Sequence, residues 1–141
     1  MAGTDTKLEL LRHVPLFAGC GKDSLRLIER LADEVDVPDG YVLMRQGDGA
    51  QEFFLIVDGR VRIEQNGQRI ASLGPGEFLG EIGLIDEGQR TASAVTEGPA
   101  KLLVITHQGF HSLLDLSPAI HLEVMKALAA RVRQLDPNAP N

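Results

Sequence analysis

The chain has 141 residues, 43% of them apolar, and a net charge of −6 from 14 basic and 20 acidic side chains. That length and composition fit one folded domain with a real core and exclude a disordered chain. The acidic balance argues against non-specific binding to nucleic acid or a membrane surface, and the lack of tryptophan with only 4% aromatics argues against base-stacking platforms.

Cys20 is the only cysteine, so an intrachain disulfide or a multi-cysteine metal site is ruled out. The longest apolar run, Phe53 to Val57, is far too short to cross a bilayer, and the first residues show no secretory signal. The expectation is a soluble protein of a reducing compartment, the cytoplasm.

In chain order, Met1 to Thr6 is polar and reads as loose. Leu8, Leu11 and Val14 recur at helical spacing, predicting a short helix stopped by Pro15. Leu16 to Gly19 is a compact apolar turn. Asp23 or Ser24 can cap a second helix, with Leu25, Ile28, Leu31 and Ala32 on one face. The period then shortens to that of strands. Val35 with Val37, and Tyr41 to Met44, are short β segments divided by Pro38-Asp39-Gly40, and Gln46 to Gly49 is a further turn. Glu52 to Asp58 reads as a strand ended by Gly59, and Arg60 to Gln65 as the next one. Asn66-Gly67 is a strong hairpin signal, because a type I′ turn needs positive φ at both central residues. A two-residue turn there pairs Ile63 with Ile70 on a common face. Gly74-Pro75-Gly76 turns the chain, and strands near Arg90 to Thr96 and Lys101 to Thr106 flank Gly98-Pro99. Helical spacing returns from Gln108, with Thr106 placed to cap a helix through Leu114. Ser117-Pro118 starts a last helix to about Leu135, whose apolar stripe is Val124, Leu128, Val132 and Leu135, adjoined by Ile120 and Arg131. Helices at 8–32 and 107–135 therefore bracket a β region at 33–106 within a single domain, 1–141. Many short strands with glycine turns every eight to twelve residues read as a sandwich or barrel.

The stretch with the most chemistry is Phe78 to Val95. Gly80 lets backbone approach a ligand closely. The run Glu81 to Ile85 can form one helical turn whose first N–H groups lack internal partners, which attracts a phosphate. Ten residues after Gly80, Arg90 supplies a full positive charge in a fork suited to phosphate oxygens. Glu81 would repel the phosphate, but it can accept a hydrogen bond from a sugar hydroxyl. Small Ala92 and Ser93 leave backbone accessible and the pocket roomy. In an acidic chain such an anion site must be local, which places weight on Arg90.

The stretch resembles the phosphate-binding cassette of the cyclic nucleotide-binding domain family, reading Phe78, Gly80, Glu81, Ile82, Gly83, Leu84, then Arg90, Thr91, Ala92, Ser93. Leu79 is inserted between Phe78 and Gly80, Gln89 stands where proline is frequent, and Ala94 where valine is frequent. The resemblance covers about Leu16 to Leu135, and the glycines at 40, 47, 59, 76 and 80 also match. It implies an α+β, mainly β fold: an eight-stranded β-roll, or jelly roll, with N-terminal helices and two C-terminal helices, the hinge and the lid. It implies that Gly80 and the following amides bind a cyclic phosphate with Arg90, and that Glu81 binds the ribose 2′-hydroxyl. Phe78, Leu79, Ile82, Gly83, Thr91, Ala92 and Ser93 complete the ligand-binding stretch. Leu128 and Arg131 are placed by position as lid contacts. The implied ligand is cAMP or cGMP, with cAMP favoured as the commoner one, and the Thr91 hydroxyl permits cGMP through the guanine 2-amino group.

No cofactor, metal or catalytic residue is expected. His107 and His111 have the four-residue spacing of a two-histidine metal site, but no third ligand is near in sequence. No nucleophile–base pair is legible, so an enzyme is not expected. The last helix can pack on the barrel, cover a bound base, or pair with a second subunit, giving a monomer or weak dimer. The expected partners are a cyclic nucleotide and an effector protein, in trans or in a longer parent chain, with no nucleic acid and no membrane. The alternative is a degenerate β-roll that binds proteins and no nucleotide.

Overall fold

A computed structural model describes residues 2–49, 51–84 and 88–135, the side chains of 2–6, 82–83 and 131–135 excepted. The order is α1 (Ala2–Arg12), a 3₁₀ turn (Pro15–Phe17), α2 (Lys22–Leu31), β1 (Asp33–Val37), β2 (Val42–Met44), β3 (Glu52–Gln65), β4 (Gln68–Leu73), β5 (Phe78–Leu79), a second 3₁₀ turn (Glu81–Leu84), β6 (Ser93–Thr106), α3 (His107–Leu116) and α4 (Pro118–Leu135). All strand pairs are antiparallel. The sheet runs β1-β6-β3-β4, with β2 also on β6 and β5 also on β3.

The two 14-residue strands, β3 and β6, make this a roll. Each bends at a glycine: Gly59 has φ +98° and Gly98 φ +85°. The ladder between them shifts register on both sides of Asp58 and then resumes. The expectation of strand ends at Gly59 and at Gly98-Pro99 is therefore corrected. The chain bends without unpairing, so among the described residues the roll has six strands where eight were expected. A Cβ on Gly59 would lie 2.7 Å from the Pro99 carbonyl oxygen, so the two bends face each other at backbone contact.

Period-two alternation divides the core. Phe53, Leu55, Leu103 and Ile105 point toward the helices and join Leu11, Phe17, Ile28, Phe110 and Val124. Phe54, Ile56 and Leu102 point into the roll and join Leu43, Val61, Leu79 and Ala94. The run Phe53 to Ile56 is apolar throughout because both of its faces are covered. Phe17 packs edge-on to Phe53, with ring centroids 6.2 Å apart, and tilted against Phe110 at 6.0 Å.

Several local expectations change. The N-terminal helix starts at Ala2, so that stretch is not loose. Gly21 is the N-cap of α2, with no side-chain cap bond, so neither Asp23 nor Ser24 caps it. Asn66 (φ 53°) and Gly67 (φ 79°) form the positive-φ hairpin turn, but Ile63 pairs with Ala71. The register shift beside Ile63 leaves Ile70 bulged and 55% exposed. Thr106 caps α3 through a 3.0 Å bond from the Gly109 N–H, and α3 runs two residues beyond Leu114 to Leu116. The Ser117 hydroxyl caps α4 by accepting from the Ile120 N–H at 3.3 Å. Among the described residues, no helix is long and apolar enough to cross a membrane.

Candidate functional site

β5 is only two residues long, yet it fixes the site. Its pairing of Leu79 with Phe54 and of Phe78 with Leu55 splits the two side chains. Phe78 packs against the helical cluster, and Leu79 sits in the roll cluster. The chain then turns at Gly80, φ +76°, into the 3₁₀ turn Glu81–Leu84. This is tighter than the turn expected to reach Ile85, which lies outside the described residues. Glu81 is 5% exposed, one of two buried polar side chains among the described residues.

Arg90 reaches this turn from across the loop. Its guanidinium lies against Gly80 so closely that a Cβ there would overlap Nη1 and come within 2.9 Å of the Glu52 carbonyl oxygen. Nη2 donates to that same carbonyl. Burial lowers the Arg90 pKa from its ordinary value, partly offset by the Glu52 carboxylate. Arginine titrates so far above neutrality that the group remains a cation. The structure thus places a half-buried cation against a left-handed glycine, with a buried carboxylate on the next residue.

The segment carrying Arg90 is held through its backbone. The Arg90 N–H donates to the Asp48 carbonyl at 2.7 Å, and the Gly47 N–H donates to the Arg90 carbonyl at 2.9 Å. Gly49 and Gln89 form an isolated antiparallel bridge beside them. Ser93 accepts from the Gln46 N–H at 2.8 Å, so its hydroxyl serves this turn. Thr91 is exposed, and its carbonyl accepts from Gln65 Nε2 at 3.1 Å. Ala92 is buried in the roll cluster. Leu128 packs against the helical cluster, where Ile120 and Val124 meet Leu16 and Phe17. The side chain of Arg131, and Ile82 and Gly83 beyond their backbone, lie outside the described residues.

Sequence reasoning missed Glu52 and Gln46. Glu52 contributes a main-chain carbonyl, which carries no residue signature. Gln46 lies in a turn that the sequence shows, but nothing in the sequence marks its side chain as bonding elsewhere. The His107 and His111 rings lie 4.3 Å apart, and no group of three metal-ligating side chains occurs among the described residues.

The architecture defines a β-roll flanked by helices that carries a cation on a glycine turn. Residues 34–117, more than half of the chain, match the cyclic nucleotide-binding domain, and the chain belongs to that family. It is similar to the cyclic AMP receptor protein of Thermus thermophilus, 34% identical over 89% of this chain and 61% of that protein. It is also similar to a CRP-like cAMP-activated global transcriptional regulator of Mycobacterium tuberculosis, 24% identical over 92% of this chain and 60% of that one. The chain thus spans about three fifths of the length of these curated relatives. The crystal structure of the N-terminal domain of a transcriptional regulator from Streptomyces coelicolor superposes with a TM-score of 0.85 at 27% identity, covering 94% of this chain and 98% of that domain.

Proposed function

We propose that this domain senses cAMP, in preference to cGMP, and passes the signal to an effector, in trans or in a longer parent chain. The observation that carries the reading is the Arg90 guanidinium resting on Gly80 beside buried Glu81. A cyclic phosphodiester is a permanent monoanion. Arg90 would face its exocyclic oxygens with a charge-assisted fork, and the amides after Gly80 would supply neutral donors. Glu81 would accept from the ribose 2′-hydroxyl. A half-buried cation with a carbonyl for partner has lost hydration it has not regained, so an anion there restores what burial removed.

Leu84, on the turn that follows Gly80, is fully buried in the same cluster as Phe110 and Leu113 of α3. A ligand that draws this turn inward would drag that contact and reposition α3, and with it α4. Here α4 rests on the 3₁₀ turn Pro15–Phe17, through Ile120 and Val124. The proposed response lifts it from there to bring Leu128 and Arg131 over the base. Ligand and helix position then form one population shift, driven by contacts that only the closed arrangement makes.

The test is direct. Excess cAMP should raise the melting midpoint, because a ligand of the native state alone stabilises it. Arg90→Ala should lower affinity by about 2–4 kcal/mol, as when a hydrogen-bonded charge pair loses one partner. No shift with either nucleotide would favour a β-roll that binds proteins only. An unchanged affinity in Arg90→Ala would remove the arginine from the site.

A further inference from the structure

The arginine loop is buckled to a hairpin tip that lies outside the ligand-binding stretch. Gln46 Nε2 donates to Asn66 Oδ1 at 2.9 Å, and Gln46 Oε1 accepts from the Asn66 N–H at 2.9 Å. The same residue's N–H donates to Ser93 Oγ. The next residue, Gly47, bonds the Arg90 carbonyl. On the far side of the tip, Gln65 Nε2 bonds the Thr91 carbonyl. Six residues from three sequence regions, Gln46, Gly47, Gln65, Asn66, Thr91 and Ser93, thus close a ring of hydrogen bonds around the backbone of Arg90. Gln65 ends β3 and Ser93 opens β6, whose ladder closes at the pair Glu64–Ser93, and Met44 of β2 pairs with Ala94, so these bonds tie the turn at 46–49, the hairpin tip at 65–67 and the loop at 89–92 beyond the last rung of that ladder.

We propose that Gln46 is a positioning residue for Arg90: its two-point grip on Asn66 fixes the arginine loop so that the guanidinium is seated on Gly80 before an anion arrives. The proposal rests on the nucleotide reading above for its consequence, though not for its geometry. Gln46 has the right chemistry for the task. Asn66, at φ 53°, offers its N–H and its side-chain oxygen to the same partner, and a primary amide can accept from one and donate to the other. An apolar side chain of equal length can do neither. The hydrogen bonds are exposed, so their net worth is modest, and their effect is on the freedom of the loop.

Gln46→Met tests this in two arms. Without nucleotide, amide exchange at Gly47 and Arg90 should quicken severalfold, because those two N–H groups close the bridge that the buckle steadies. Protection equal to wild type would overturn the proposal. With cAMP, calorimetry should show affinity about three- to tenfold weaker, the equivalent of one or two exposed hydrogen bonds. In an Arg90→Ala background the same substitution should change affinity less than twofold, since a loop that carries no guanidinium has nothing to position. Equal weakening in both backgrounds would show that Gln46 acts elsewhere and would sink the assignment. Gln46→Glu, which keeps the acceptor for the Asn66 N–H, should recover part of the amide protection. Failure of the ligand reading is separately visible: wild type would bind neither nucleotide while the exchange arm still reported on the buckle.

Discussion

Gly80→Ala separates two costs that usually arrive together. The first is conformational: at φ +76° an alanine sits in the left-handed region, which costs about 1–2 kcal/mol. The second is spatial. The new methyl would overlap Arg90 Nη1, lie 3.2 Å from Arg90 Cζ and 2.9 Å from the Glu52 carbonyl oxygen. A guanidinium at the end of a flexible side chain can move; a carbonyl in a paired strand cannot move so cheaply. Gly40 provides the control. Its φ is +75°, and a Cβ there meets nothing within 4 Å. Gly40→Ala should therefore show the dihedral cost alone, with a stability loss of about 1–2 kcal/mol in urea denaturation and cAMP affinity unaltered. Gly80→Ala should lose at least as much stability. It should also weaken cAMP by about 2–4 kcal/mol in titration calorimetry, because the displaced guanidinium no longer meets the phosphate. Equal affinities for the two variants would refute the reasoning: the guanidinium would then not act from its place against Gly80. A Gly80→Ala protein as stable as wild type would overturn the positive φ itself.

Three further outcomes are expected. Thr91→Ala should lower cGMP affinity more than cAMP affinity, since its exposed hydroxyl can meet a guanine amino group; equal small effects in calorimetry would leave the hydroxyl without that role. Burial raises the Cys20 thiol pKa, with a smaller push from Glu123, so the folded state holds its proton more tightly than the unfolded chain. Stability should therefore be unaffected by this group below the ordinary thiol value of about 8.5 and fall as pH rises beyond it, and Cys20→Ala should flatten that slope in melts across alkaline pH. Phe110→Ala should cost about 3–5 kcal/mol of stability, because the ring is fully buried against Phe17 and shares a cluster with Leu84. Denaturation showing a loss under 1 kcal/mol would place that ring outside the core.

The residues proposed for the site stand out in the sequence more sharply than the bends of the roll, and the reason is chemical. Holding an anionic ester next to a sugar requires particular residue types at fixed separations, so Gly80, Glu81 and Arg90 stand out in a single chain. Asn66-Gly67 was legible for the same reason, since few residues tolerate positive φ twice in succession. Glycine was ambiguous elsewhere. At Gly59 and Gly98 it reads as a strand end, yet the structure uses it as a bend within a continuous ladder, because the resuming hydrogen bonds depend on a partner strand about 40 residues away. Ile70 looked like the natural partner of Ile63, and a bulge moved it outward. Leu128 matches a lid by position, and here it packs with its neighbours on α4 against the helical cluster. The Glu52 carbonyl and the Gln46 buckle could not be read at all, since a main-chain acceptor and an amide in a turn look alike in any sequence.

The position of the site between two cores explains how a small anion could be read at a distance. β5 sends Phe78 to the helices and Leu79 into the roll, and the next residue is the glycine under Arg90. The backbone that would hold the phosphate is therefore the seam of both clusters. Behind it, the carbonyl that receives Arg90 belongs to Glu52 on β3, and one residue later Phe53 enters the helical core. Ahead of it, Leu84 enters that core beside Phe110. A close-packed interior passes displacement on, because no side chain can shift by a methyl's width without a neighbour responding. Charge is managed differently. The chain carries −6 overall, which repels an anion at long range, but at physiological salt that repulsion is screened beyond about 8 Å. What remains at contact is the half-buried Arg90 guanidinium, resting on a residue that must have no side chain.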